Sequence, residues 1–139
     1  MQKEMRLSQA EVEIDDPAIA INIRQQFPYV RSAKDLFECT RSMWRLNPRR
    51  AERAKYLFAV YDGIIREVYE IHQCIPATDE TKEYWRKRER EQGRNVPAAS
   101  HEGRAEFLGQ VASDKVRAKY LGRSIPVRLT QNPVRYFNC

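Results

Sequence analysis

The chain is 139 residues long, 42% hydrophobic and 32% charged, with a formal net charge of +6 at pH 7. That length suits one hydrophobic core rather than two, and without an apolar run of about 18 residues or an apolar leader neither a membrane span nor secretion is expected, so a cytoplasmic location is the expectation. The positive excess sits mostly in arginine, whose planar fork fits phosphate, so the charge balance favours a nucleic-acid partner.

Residues Met1 to Asp16 mix charges without a clear period and are expected to form a loosely ordered, flexible arm, with a short helix around Ser8 to Val12. Residues 17–139 are expected to form one α+β domain. Ile19, Ile21 and Ile23 alternate through Ala18 to Arg24, the period of a half-buried strand. Ser32, with Asp35 three residues on, starts an amphipathic helix of about three turns through Leu36, Phe37, Thr40, Met43 and Trp44. Asn47-Pro48 caps and opens a second short helix, Arg49 to Ala54.

Tyr56 to Ile71 carries the strongest local signal. Two runs rich in β-branched and aromatic residues flank Asp62-Gly63, a pair that tolerates the positive φ of a tight hairpin turn. An unbroken register pairs Tyr61 with Ile64, Val60 with Ile65, Phe58 with Glu67 and Tyr56 with Tyr69. Tyr56, Phe58, Val60, Ile65, Tyr69 and Ile71 then share a face with the single charge Glu67, while Leu57, Ala59, Tyr61, Ile64 and Val68 share the other with Arg66 and Glu70. Two faces this apolar place the hairpin centrally in a curled mixed sheet or small barrel, covered by helices on one side.

Residues from about 78 to 100 are nearly all charged, with Tyr84 and Trp85 among them, and read as an inserted mobile loop, partly helical from Thr81 to Glu91. Arg104 to Ala112 returns to strand character, with Ala105, Phe107 and Gly109 inward. Ser113-Asp114 caps a short helix closed by Gly122, and Ser124 to Leu129 and Pro133 to Phe137 supply the last strands.

The hairpin Tyr56 to Ile71, the strand Arg104 to Ala112 and the segment Lys119-Tyr120-Leu121-Gly122-Arg123-Ser124 together resemble the PUA-like superfamily, which includes ASCH, EVE, YTH and SRA domains. The pattern AVYDGIIREVYEI, EFLGQVA, KYLGRSI and QNPVRYFNC is closer still to an uncharacterised prokaryotic domain of that type. The resemblance implies a PUA-like β-barrel with flanking short helices and a non-catalytic nucleic-acid-binding module, in several branches a reader of modified bases through an aromatic-lined pocket.

The aromatic candidates for such a base pocket are Trp44, Tyr61 and Trp85, since π faces stack on any base. Tyr84 is a fourth aromatic outside the obvious core positions. The phosphate-binding candidates are Arg45, Arg49, Arg50 and Arg53, which fall near one another if helical turns continue across them; a solvated basic face is the plain alternative. The expected partner is a nucleic acid, DNA or RNA, with an effector protein as a further candidate and no membrane expected.

Two other classes compete. A metal-dependent nuclease would draw on Glu67, Glu70, Glu106 and Asp114 with Lys115 or Lys119, but no Asp followed by Glu-x-Lys on a hairpin is present, and Glu67 is expected to pair with an arginine inside the fold. A protein-interaction module would use the charged segment Asp79 to Arg94. The two histidines, His72 and His101, lack a partner nucleophile at a motif, so no catalytic residue is assigned. No glycine-rich phosphate loop occurs, and Cys39, Cys74 and Cys139 have neither zinc nor disulfide spacing, so no cofactor or metal is expected and the thiols are read as reduced.

Overall fold

A computed structural model describes residues 10–128 and 132–139. At the centre, Asp62 and Gly63 take φ of 53° and 75°, the conformation that joins two antiparallel strands by a two-residue turn. In chain order the elements are β1 (Ala18–Asn22), α1 (Ala33–Arg41), β2 (Ser42–Trp44), α2 (Pro48–Arg53), β3 (Tyr56–Tyr61), β4 (Ile64–Pro76), α3 (Asp79–Glu91), β5 (Ala105–Val111), α4 (Asp114–Tyr120) and β6 (Val134–Phe137). Short 3-10 turns cover Phe27–Tyr29 and Ala98–His101.

The six strands form one sheet in the order β2-β5-β4-β3-β1-β6, curled into a half-barrel, which makes the fold α+β. β1 runs parallel to β3 and antiparallel to β6, while β3, β4, β5 and β2 are successively antiparallel. β1 is not half-buried as its isoleucine alternation suggested. Ala18 to Ile21 are all fully buried, because the alanines between the isoleucines face a second core rather than water.

One core lies under α1, α2 and α3 and gathers Ile19, Ile21, Leu57, Ala59, Tyr69 and Phe107. The other lies under α4 and the segment before β1, and gathers Ala20, Phe58, Val60, Val68 and Tyr120. Helices therefore cover both faces of the sheet, not one. Each fully buried aromatic or aliphatic side chain in these cores contributes about 1.5–3 kcal/mol.

The hairpin register is interrupted. Tyr61 pairs with Ile64 and Val60 with Ile65, but beyond that Ala59 faces Glu67, Phe58 faces Val68 and Leu57 faces Tyr69. One extra residue on β4, Arg66, produces the shift, and its guanidinium donates back to Tyr61 O from Nε at 3.2 Å and Nη2 at 3.0 Å. As a result Tyr69 joins Leu57 in the first core and Val68 joins Phe58 in the second, the reverse of an unbroken register.

Other boundaries also move. Residues 10–16 are not a loose arm: Val12 and Ile14 are buried, Val12 N bonds Ser124 O at 2.9 Å, and Asp15 and Asp16 receive Lys119 and the Tyr120 hydroxyl. The expected helix around Ser8 to Val12 falls partly outside the described residues, and residues 10–12 are not helical. α1 stops at Arg41, where Ser42 turns extended, so Met43 and Trp44 belong to a strand. Of the segment Ser124 to Leu129, Ser124 forms only isolated bridges to Glu11 and Ile64, and Leu129 lies outside the described residues.

The segment 78–100 holds the expected helix, observed as α3 (Asp79–Glu91), but one face of that helix packs into the first core. α3 begins at Thr78, whose hydroxyl accepts from Thr81 N, and presents Thr81, Trp85 and Glu89 on one buried stripe at spacing i, i+4, i+8. Among the described residues, no helix is long and apolar enough to cross a membrane.

Candidate functional site

Where α3 crosses the end of β2, a cavity of about 380 Å³ opens between that helix, the chain leaving β1 and the turn that holds His101. Its volume falls within the ~300–1,000 Å³ range of small-ligand sites. Trp44 and Trp85, the two tryptophans of the chain, both line it.

The local backbone explains how. β2 pairs Ser42 with Glu106 and Trp44 with Ala105, so Met43 is an extra residue in the ladder. Met43 takes a φ of 72°, a left-handed conformation that costs an L-residue roughly 1–2 kcal/mol. The bulge brings Ser42, Met43 and Trp44 together to the cavity wall. Trp44 is half-buried and fixed by its indole Nε1, which donates to Thr40 O at 2.8 Å. Trp85 is 6% exposed, against the expectation that charged neighbours would keep it out of the core. Its Nε1 donates to Ser42 Oγ at 2.7 Å, which holds α3 against β2.

Polar groups converge beside the indoles. His101 and Glu89 are buried together, with His101 Nε2 3.0 Å from Glu89 Oε1, while His101 Nδ1 has no partner among the described residues. Arg104 lines the cavity and donates through Nε to Ser100 O at 2.6 Å and through Nη1 to Met43 O at 3.0 Å, bracing the strained bulge. Burial, and then the nearby Arg45 cation, hold the Arg104 guanidinium below its ordinary pKa, with Glu89 acting the other way.

Arg24 and Arg94 also line the cavity and are exposed. Neither they nor Arg45 and Arg104 have a carboxylate partner among the described residues. The single acid in the wall, Glu89, is engaged by His101. Positive charge is therefore left uncompensated around an aromatic hollow, an arrangement that attracts anions carrying a flat ring.

Two further hollows border the sheet. One of about 650 Å³ borders α1, α3 and β5, and there Arg41, Glu38 and Glu106 pair with one another. Arg41 bonds Glu38 and, at 2.5 Å, Glu106, which also accepts from Thr78 N and Thr81 Oγ1. Burial raises the Glu106 carboxyl, but these donors outweigh it and hold its pKa below the ordinary value. The other, about 520 Å³, lies beside the hairpin turn and contains Tyr61, which stacks on Phe27 at 4.4 Å.

The structure thus brings Trp44 and Trp85 to one cavity and sets Tyr61 in another. Tyr84 lines the Glu106 hollow and packs edge-on against Trp85 at 5.9 Å. The four expected phosphate ligands do not form one helical row. Residues 42–44 are strand and α2 begins only at Pro48, so Arg45 lies apart, its Nη1 3.5 Å from where a Cβ on Gly103 would sit. Arg49 and Arg53 are exposed on α2. Arg50 is committed: its guanidinium lies 4.2 Å over the Tyr136 ring and its Nε donates to Cys139 O at 2.8 Å.

Sequence reasoning missed Arg24, Arg94, Arg104, Glu89 and His101. The stripe Thr81, Trp85, Glu89 was a usable signal for the α3 face; the approach of His101 to Glu89 had none, because a turn sets it. For the nuclease alternative, Glu67 receives Arg117 through Nε at 2.9 Å and Nη2 at 3.2 Å, and Glu106 is held by Arg41. Among the described residues no three carboxylate, imidazole or thiol groups gather into a metal-binding cluster. No family model, curated protein or solved structure matches this chain.

Proposed function

We propose that the protein is a non-catalytic nucleic-acid-binding module of the PUA-like type, which takes a base, plain or modified, into the cavity of Trp44 and Trp85. The observation that carries this reading is the coincidence of both tryptophans with arginines that have no carboxylate partner among the described residues. Indole faces give affinity for any nucleobase, and a buried polar pair such as His101 and Glu89 supplies edge discrimination. Arg24, Arg45, Arg94 and Arg104 take the flanking phosphates, with Arg49 and Arg53 extending the basic surface along α2. A module of this kind acts alone or as the sensor beside an effector protein.

Fluorescence anisotropy with labelled single- and double-stranded DNA and RNA, carrying plain or modified bases, tests it over a salt series. Binding should weaken linearly in log-log coordinates, and Arg45→Ala or Arg94→Ala should each lower the slope by about one. Absence of binding to every probe at low salt would overturn the reading.

A further inference from the structure

The base cavity and the hollow beside the hairpin turn are separated by one stretch of chain. Asn22 and Arg24 line both. β1 ends at Asn22, Ile23 N still bonds Val60 O at 3.0 Å, and the chain then turns through Gln26 N to Ile23 O at 3.1 Å. Gln26 is buried, and its Oε1 accepts from Arg88 Nε of α3 at 3.0 Å and from Nε2 of Gln92, the residue after α3, at 2.9 Å. The dividing wall is therefore fixed on both sides, and Arg24 rides on it, exposed and without a carboxylate partner among the described residues.

The second hollow repeats the chemistry of the first in weaker form. Tyr61 supplies an aromatic ring, stiffened by its stack on Phe27 at 4.4 Å and by Arg66, whose guanidinium lies 5.5 Å from its centroid. Arg24 and Arg128 supply positive charge against the single carboxylate of Asp62. Two adjoining hollows, each with an aromatic wall and joined under one arginine, match two successive nucleotides joined by one phosphate.

Resting on the base-pocket reading above, we infer that the ligand is a single-stranded nucleic acid read over at least two nucleotides. One base enters the Trp44–Trp85 cavity, its neighbour lies against Tyr61, and Arg24 holds the phosphate between them. A duplex cannot supply this ligand without local opening, because both bases must leave their stack. A lone nucleotide then fills only one of the two hollows, and length should be rewarded.

The test is calorimetric titration of the full chain with mononucleotides, dinucleotides and trinucleotides of one base, in deoxy and ribo form. The dinucleotide should bind at least about tenfold tighter than the mononucleotide, the worth of one added stacking contact, with a smaller gain for the third residue. Tyr61→Leu, which keeps bulk against Phe27, and Arg128→Ala should each remove most of that gain and leave mononucleotide affinity unchanged. Circular dichroism of both variants confirms that they fold. Equal affinity for mono- and dinucleotides, or a gain that survives both variants, overturns the two-nucleotide inference alone. Failure of every probe to bind overturns the base-pocket reading, and this inference with it.

Discussion

Trp85 Nε1 donates to Ser42 Oγ at 2.7 Å, so the most buried aromatic of α3 is latched to the bulged edge strand that forms the other wall of the cavity. Ser42 Oγ itself donates to Glu38 O at 2.7 Å, which carries the latch through to α1. Three elements thus set the width of one hollow.

Trp85→Phe keeps an aromatic ring but deletes the indole donor. The expected loss is about 1–2 kcal/mol, one buried hydrogen bond plus the lost ring area, measured by urea unfolding. Trp85→Ala leaves a void beside Ser42 and should cost roughly 3–5 kcal/mol.

Glu106 gives a pH dependence with a definite sign. Its folded pKa lies below the ordinary carboxylate value through Thr78, Arg41 and Thr81, against the upward push of burial. The stabilisation is therefore complete above the unfolded carboxylate value of about 4.3 and is lost as pH falls through the lower folded value. Glu106→Gln should lose about 3 kcal/mol at neutral pH, the lower end for a broken buried pair because Arg41 retains Glu38, and should flatten stability across that acid window. Urea midpoints measured between pH 3 and 7 check both parts.

Gly109 approaches its neighbour strand more closely than any side chain permits. A Cβ there would lie 2.1 Å from Glu70 O, a backbone atom. Gly109→Ala must push β5 away from β4 where the register already shifts between Ile71 and Gln73. A loss of about 2–3 kcal/mol is expected, at the upper end for overpacking, read from the thermal midpoint.

Arg66 sets the hairpin bulge, with two hydrogen bonds to Tyr61 O and its guanidinium over Phe27 and Tyr61. Arg66→Lys keeps the charge and loses the planar fork. It should cost about 1 kcal/mol in chemical denaturation, and Arg66→Ala about 2, since stacking is lost as well.

The turn of the hairpin was legible because Asp62-Gly63 is a local instruction, and the caps Ser32, Asn47 and Ser113 all accept from first-turn amides where the sequence placed them. The bulge was not, because it depends on where a guanidinium five residues from its acceptor comes to rest. Trp85 was misplaced by composition: charges dominate α3 when counted along the chain, but all of them except Glu89 lie off the buried stripe of Thr81, Trp85 and Glu89. For the site, both tryptophans could be nominated as aromatics, whereas the cavity arginines come from three separated segments, the end of β1, the loop after α3 and the start of β5. Only the fold brings Arg24, Arg94 and Arg104 together.

The most direct measurement uses the tryptophans themselves. Both line the candidate cavity and the chain has only these two, so intrinsic fluorescence reports on that site and little else. Titration with an unlabelled single-stranded oligonucleotide at low salt should quench the emission along the same binding curve that anisotropy gives, and added salt should reverse it. Binding seen by anisotropy with no change in tryptophan emission would place the ligand elsewhere on the protein and contradict the base cavity.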